Sequence, residues 1–471
     1  MFTKLTDKLK SKVQKKKEKA DSEKETEYLW TQSIGKLIRI QSYPAIIGQF
    51  VMALYNFADR AFIGNSIGLD GLAALTVILP AYLIISSFWL ALWIWASSII
   101  SRALWAKQFE KVNQTFWSSQ LVILISTLLL VLFFLFFQDQ ILTLFWATED
   151  IMWLARDYFS IVIFGQVFWC FMFASTAIIR AIGDTKSVML INIVSALTNI
   201  LLDYVFIFIY DWGIKWAAWA TVISQIVATL IILYYYFFQQ KVIKLSINYF
   251  KIKREYVKEI FLLGIPAFFR QVIGSIMMIL VNNFLGSEWW KQAISLCWIA
   301  QGLVVFFLTP IFGVTQGIAP ILGYNYGAKY YQRVKDTLRI SINALSIFWI
   351  IISLIYLIYP EFLLNFFVTT PEELELAAIP TKICMYSFFS VGIQIIIGTY
   401  YQSIWLFKKA FILSLLRQVF VFIPILFLFS KIFHLMGIYY TFPISDIIAL
   451  VITLLIFRKD WLKLSKLSSP L

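Results

Sequence analysis

Long runs of apolar residues, separated by short polar breaks, extend over most of the chain. Segments such as 121–137, 347–359 and 413–429 are almost free of charged residues, and a helix needs about 20 mostly apolar residues to cross the hydrocarbon of a bilayer. Membrane β-strands are about ten residues long and alternate in polarity, so the runs favour helices. The pattern predicts twelve transmembrane helices, at residues 36–62, 72–100, 114–137, 151–179, 187–210, 215–239, 258–285, 292–322, 336–359, 377–405, 410–430 and 438–457.

The amino-acid composition agrees with a chain that lies in a membrane. Of the 471 residues, 61% are hydrophobic and 14% are charged, which is more apolar surface than a soluble protein of this length can bury. The one histidine and three cysteines are scattered, so the sequence predicts no cofactor, metal cluster or disulfide framework. A membrane-embedded enzyme would need a recognisable nucleophile, base or metal group, and none is visible.

The formal net charge of +14 is distributed unevenly between the loops. Basic residues follow every second apolar run, whereas the opposite loops at 138–150 and 360–375 contain few or none. This pattern follows the positive-inside rule, so we expect a multi-pass plasma (inner) membrane protein with both termini in the cytoplasm and no nucleic-acid partner. The basic loop residues are Arg102, Lys107, Lys111, Arg180, Lys186, Lys241, Lys244, Lys251, Lys253, Arg254, Lys329, Arg333, Lys335, Lys408, Lys409, Arg458, Lys459, Lys463 and Lys466.

The chain repeats itself at an offset of 222 residues. Pro44 then coincides with Pro266, Gly64 with Gly286 and Lys186 with Lys408. A repeat of six spans begins and ends on the same side of the membrane, so the halves form two bundles related by an axis along the membrane normal. The predicted parts are a cytoplasmic basic tail at 1–32, an N-terminal bundle at 33–240, a linker at 241–257, a C-terminal bundle at 258–460 and a tail at 461–471. Such an arrangement favours transport by rocking of the bundles about a site near the midplane.

Two acidic residues inside apolar runs are the main candidates for function, because charge inside a membrane is costly. Asp59 follows Tyr55 by four residues and Asp203 follows Asn199 by four, so each acid shares a helix face with its partner. Thr221 adds a hydroxyl. Two carboxylates at low dielectric do not both stay ionised without a cation, so the group is predicted to bind a proton or Na⁺. The alternative is that each acid is a capped or paired interfacial residue.

Further candidates lie in the same run and in its repeat. Pro44 removes a backbone hydrogen bond and permits a bend in the first span, which either follows ion binding or is a static kink. Asn56, Arg270 and Gln271 are candidate cavity residues, although Arg270 could instead bind carbonyls or pair with an acid. In the second half, the repeat places apolar residues opposite Asp59 and Asp203. Ion coupling is therefore expected in the first half.

The residues between about 33 and 460 resemble the multidrug and toxic compound extrusion (MATE) family. Within it, the resemblance is to the prokaryotic branch with coupling acids in the N-terminal bundle. The segments that resemble it are 55–64, 179–184, 199–203, 316–320 and 323–328. The resemblance implies efflux of cationic or amphipathic organic compounds by proton or sodium antiport. It further implies coupling carboxylates at Asp59 and Asp203, a shared site with Tyr55, Asn199 and Thr221, and a bend at Pro44.

Several tryptophans depart from the pattern of the family, which usually has glycine at these positions. They are Trp93, Trp95, Trp105, Trp216 and Trp298. A tryptophan at a tight helix contact should overpack the bundle. Our hypothesis is that some of these positions are glycine in the native organism, through reassignment of the UGA codon.

Three other functions are compatible with parts of the pattern. A lipid-linked oligosaccharide flippase of the same superfamily would share the fold, but such chains usually have fourteen spans. For a membrane-embedded enzyme, the sequence shows no recognisable group of catalytic residues. A receptor or structural role fits poorly with buried acids and a six-plus-six repeat. We therefore predict an exporter that binds a small organic molecule, is surrounded by lipid and is monomeric.

Overall fold

The computed structural model describes residues 31–67, 106–144, 149–210, 212–239, 242–243, 291–358 and 371–468, together with parts of 74–104 and 272–284. These residues form helices and no strand, so the predicted all-α membrane fold is confirmed. In chain order the helices are α1 (Ile34–Ile67), α2 (Phe109–Phe136), α3 (Gln138–Leu144), α4 (Glu149–Ala181), α5 (Thr185–Asp203), α6 (Ile214–Tyr234), α7 (Lys291–Gly327), α8 (Tyr331–Ile358), α9 (Pro371–Met385), α10 (Phe388–Ser403), α11 (Phe407–Leu415) and α12 (Ile423–Ser468). Segments of wider, π-type helix follow α5, α6 and α11, at Tyr204–Ile209, Tyr235–Gln239 and Leu416–Phe422.

The described residues contain eight helices that are long and apolar enough to cross a membrane, or nine if α9 and α10 form one broken span. The last of them, Lys408–Leu467, contains both the eleventh and the twelfth predicted span. Its backbone breaks at His434, where φ is 49°, between the predicted ends at 430 and 438. The predicted spans at 72–100 and 258–285 lie mostly outside the described residues.

The chain divides into two compact units, Met1–Gly264 and Ile265–Leu471. In the first unit α1 packs on α5, and α6 packs on both α4 and α5. Gly48 allows the close approach of α1 to α5, because a Cβ at this position would lie 3.1 Å from Nδ2 of Asn192. A buried core that includes Val188, Ile232 and Tyr236 fills one end of this unit.

In the second unit α7 packs on α9 and α10, and α12 packs on α10 and on the π segment after α11. Its buried core includes Val281, Phe422, Leu426, Ile438 and Tyr439. Many apolar side chains on the outer faces of both units remain exposed, such as Leu129 (64%) in the first and Ile358 (64%) in the second. Lipid tails cover such a surface in a membrane-spanning chain.

Four helix ends share one hydrogen-bond pattern, and they form two pairs that are related by the repeat. Each helix is followed by a residue with positive φ: Lys107 (53°), Gly183 (100°), Lys329 (61°) and Trp405 (66°). In each, the following N–H donates to a carbonyl five residues back, as Asp184 does to Ile179 and Leu406 does to Tyr401. Glycine is the usual residue at such an end, because it lacks the Cβ that a left-handed backbone crowds. The repeat partner of Trp405 is glycine, which extends the codon hypothesis to this position.

The left-handed backbone at Trp405, which favours glycine there, can be tested directly. We expect Trp405→Gly to be more stable than Trp405→Ala by about 1 kcal/mol, because a left-handed backbone costs a residue with a Cβ about that much. Apparent melting temperatures of the purified variants in detergent measure the difference. The matched pair is Trp216→Gly and Trp216→Ala inside α6, where alanine should be the better residue by a similar amount. Equal stability of the two Trp405 variants would contradict a left-handed backbone at this position.

The other tryptophans give a mixed result. Trp216 is 37% exposed and lies edge-on to Phe206 at 5.2 Å, so the expected overpacking is wrong at this position. The indole nitrogen of Trp93 is buried and has no hydrogen-bond partner among the described residues, and its ring contacts Phe173 at 5.2 Å. Trp95, Trp105 and the side chain of Trp298 lie outside the described residues.

Candidate functional site

Asp203 is the most deeply buried acidic residue in the described part of the first unit. It is the last residue of α5 and is 0% exposed. Neither carboxylate oxygen makes a well-formed hydrogen bond to a described residue. The helix widens directly after it, at Tyr204–Ile209, and such π segments frequently occur at functional sites. A carboxylate buried in this way binds a proton or another cation readily, because burial disfavours its charged form.

Asn199 and Thr221 lie beside Asp203. Asn199 is one turn earlier on α5 and is 0% exposed, and its side chain interacts with that of Asp203. Its Nδ2 donates to Oγ1 of Thr221 on α6 at 3.3 Å, while its Oδ1 has no partner among the described residues. The structure therefore brings these three predicted residues together across the α5–α6 interface.

Asp59 approaches the same cluster from α1. It is partly buried, and its charge acts on Asp203. The two chain segments also touch through Phe62 and Phe208, whose rings meet edge to face at 5.4 Å. Tyr55 is one turn before Asp59 on α1 and is partly buried. Asn199 and Thr221 thus supply amide and hydroxyl oxygens beside Asp203.

The remaining predicted residues have different outcomes. Pro44 lies inside α1, about four turns before Asp59, and the bend there stays a prediction. Asn56 is part of α1, but its side chain lies outside the described residues, as do Pro266, Arg270 and Gln271. Among the described residues, no group of three or more His, Cys, Asp or Glu side chains is placed so that it could hold a metal ion. A sodium ion at the Asp203 cluster would therefore need amide and hydroxyl oxygens as well as carboxylates.

Comparison with known proteins identifies the family. The model of the MatE family matches residues 44–205 and 266–428. The chain belongs to the MatE family. The two matched segments begin 222 residues apart, which is the offset of the internal repeat, so each half of the chain corresponds to one copy of the family's unit. The predicted membership of the MATE family is confirmed.

Similar proteins cover nearly the whole chain. The "Multidrug export protein MepA" of Staphylococcus haemolyticus (strain JCSC1435) is 26% identical over 429 residues, which are 91% of this chain and 94% of the relative. MepA of Staphylococcus aureus (strain MSSA476) is 26% identical over 415 residues, 88% of this chain and 91% of the relative.

Solved MATE structures share the fold. The structure of the "MATE multidrug transporter DinF-BH" is 36% identical with a TM-score of 0.84, and the match covers 91% of this chain and 96% of that chain. "MATE in the bent conformation" has a TM-score of 0.87 at 22% identity, over 95% of this chain and 99% of that chain. The second likeness concerns the fold alone.

This MatE chain also has a partly buried ion pair that the sequence analysis missed. Arg417, in the π segment after α11, pairs with Asp446 on α12 at 3.3 Å. Ser387 donates to the same carboxylate at 3.1 Å, and Gln394 donates to the backbone carbonyl of residue 446 at 3.0 Å. The sequence does show two charged residues inside predicted spans, but they are 29 residues apart on different helices, so their pairing was not predictable from spacing. The second unit therefore has an intramembrane acid of its own, at a position unrelated by the repeat to Asp59 or Asp203.

Proposed function

We propose that this chain is a secondary active exporter that removes organic compounds from the cell in exchange for a cation. The observation that supports it most directly is the buried Asp203 cluster with Asn199 and Thr221, in a chain of the MatE family. Its relatives named MepA are multidrug export proteins, and a solved structure at 36% identity is of a multidrug transporter. Cationic or amphipathic organic molecules are the substrate class that we assign.

The coupling ion is a proton or Na⁺, and we assign it to Asp203, Asp59, Asn199, Thr221 and Tyr55. Both ions suit a site of carboxylate, amide and hydroxyl oxygens. Binding of the ion neutralises the buried charge, which makes closure of the bundle around it less costly. Release of the ion restores the charge and favours the other conformation.

The same proposal includes the place of the chain in the cell. The basic loops support a multi-pass plasma membrane protein with cytoplasmic termini, and the two six-span halves support alternating access between two bundles. We assign a monomer as the working unit. The flippase alternative is not favoured, because the relatives that cover most of the chain are multidrug export proteins.

Ethidium transport by the purified chain in proteoliposomes tests this function. A gradient of one pH unit is worth about 1.4 kcal/mol, so it should sustain an ethidium gradient of about tenfold if one proton exchanges for one monovalent cation. A tenfold Na⁺ gradient at equal pH should do the same if Na⁺ is the coupling ion. Ethidium fluorescence measures the accumulation, and collapse of each gradient by an ionophore is the control. Accumulation equal to that of empty liposomes under both gradients would contradict the proposal.

A further inference from the structure

Polar side chains form a stripe along one face of α5. Asp203, Asn199, Ser195 and Asn192 are spaced by four, four and three residues, so they lie on a common helix face. None is more than 7% exposed. Asp203 ends the stripe on one side, and the rest of it leads away from the proposed ion site toward the end of α5 that begins at Thr185.

The neighbouring face of α6 is polar at the same levels. Ser195 donates through Oγ to the carbonyl of Ser224 at 3.3 Å, and Ser224 in turn donates to the carbonyl of Thr221 at 2.7 Å. Gln225 and Thr229 follow Thr221 at intervals of four residues. We call these residues of the two helices, from Asp203 to Thr229, the α5–α6 polar stripe.

Several acceptors in the α5–α6 polar stripe are buried without a partner among the described residues. They include Oδ1 of Asn199, Oε1 of Gln225 and the hydroxyl of Thr229. Gln225 is 6% exposed, and its Oε1 faces Gly165 of α4, where a Cβ would lie only 3.0 Å away. An unpaired buried acceptor costs about 1–3 kcal/mol. Buried polar groups of this kind are normally satisfied by water.

An apolar layer closes the stripe at its far end. Val188 on α5 and Ala228 and Ile232 on α6 are at most 3% exposed and belong to one buried core cluster. Polar groups resume beyond this layer, where the hydroxyl of Tyr235 donates to Oδ2 of Asp184 at 2.9 Å. Asp184 caps the N-terminus of α5, next to basic residues that we assign to the cytoplasmic side. The apolar layer is about one helical turn thick.

We propose that the α5–α6 polar stripe is a water-filled proton path that connects Asp203 with the cytoplasmic end of the first unit, and that the layer around Val188 closes it in this conformation. The inference rests on the proposed function with a proton as the coupling ion. The carboxyl group of Asp203 gives its proton to the nearest water, each water passes one proton on, and the last releases one to the cytoplasm. The carboxylate is then ready for a proton from the other side. The titratable groups along the path and at its two ends are Asp59, Asp203, Asp184, Tyr235, Tyr236 and Arg180.

Gln225→Leu tests the path, with Gln120→Leu as a matched control. Both are buried glutamines of the first unit, 6% and 7% exposed, but Gln120 lies on α2 and donates to Ser175 of α4 at 3.2 Å. Loss of a proton relay should slow proton-driven ethidium exchange by Gln225→Leu about tenfold or more, with the Kd for ethidium unchanged. Replacement of H₂O by D₂O should slow this variant more than wild type, because proton movement becomes rate-limiting.

The outcomes separate the path from the export function. Equal rates and equal D₂O effects in the two glutamine variants would overturn the path while leaving export intact. Exchange that responds to Na⁺ and not to pH would overturn it as well, again without harm to the export function. In addition, Val188→Ser should raise proton leak without ethidium about tenfold, because a polar residue admits water to the layer. A leak at the wild-type level, in a variant that melts at the wild-type temperature, would contradict the role of the layer.

Discussion

Asp203→Asn is expected to abolish gradient-driven ethidium export while the variant still binds ethidium. Asparagine has nearly the same shape as aspartate and can fill the same buried space beside Asn199, but it neither binds nor releases a proton and attracts Na⁺ only weakly. Coupled exchange should therefore fall by about 100-fold or more, which corresponds to a loss of about 2.7 kcal/mol in the coupled step. The Kd measured by ethidium fluorescence should change little.

The matched control is Asp139→Asn, the same chemical change at an exposed position. Asp139 pairs with Arg156 at 2.6 Å, and their side chains are 57% and 53% exposed. Such surface pairs contribute little, so export should stay within about twofold of wild type. If Asp203→Asn exports ethidium as fast as Asp139→Asn does, Asp203 is not part of the coupling site. Loss of both export and ethidium binding would point to misfolding, which the melting temperature detects.

Sequence patterns could predict the helices and the Asp203 site because both depend on local spacing. Apolar runs of about 20 residues specify helices without knowledge of their neighbours. Asn199 and Asp203 are one turn apart, so their common face follows from the helical period alone. Thr221 was predicted as a hydroxyl inside the sixth span and again through the resemblance, but its hydrogen bond to Asn199 depends on how α5 packs against α6.

The features that the sequence analysis missed depend on contacts between distant helices. Ser195 and Gln225 lie on different helices, and nothing in the sequence shows that they lie at one level. The comparison of the two halves considered only the positions that match Asp59 and Asp203, which are apolar, so it did not find Asp446. Its partner Arg417 lies in a π segment that shifts the helix face, which a period of 3.6 residues does not describe.

The helix end at Trp405 shows a different limit. Its amino-acid type does not predict a left-handed backbone, since a residue with a Cβ rarely adopts one. The alignment of the two halves does, because Gly183 stands at the equivalent position. Backbone conformation is thus better predicted here by the repeat than by the residue itself.

Arg417→Leu is expected to destabilise the second unit by about 2–3 kcal/mol, because it leaves Asp446 as an uncompensated charge in a buried site. Arg417 is nine residues from Lys408, about 13 Å along a helix, and Asp446 is twelve residues from Arg458, about 18 Å. The Arg417 side chain is 36% exposed. At this distance from the basic loops, its exposed part faces the membrane interior, where it is not fully hydrated. The apparent melting temperature in lipid nanodiscs measures the loss.

The second unit contains a pair with the same exposure at a different depth. Lys409 and Asp460 are 2.5 Å apart, with side chains 36% and 14% exposed, against 36% and 13% for Arg417 and Asp446. Lys409 lies among the basic residues of the end that we assign to the cytoplasm, where water stabilises Asp460 after its partner is lost. Lys409→Leu should therefore cost about 1 kcal/mol or less. The double variant Arg417→Leu with Asp446→Leu should recover most of the loss, since it buries no charge. Equal effects of the two single variants would mean that depth in the membrane does not decide the contribution of the Arg417–Asp446 pair.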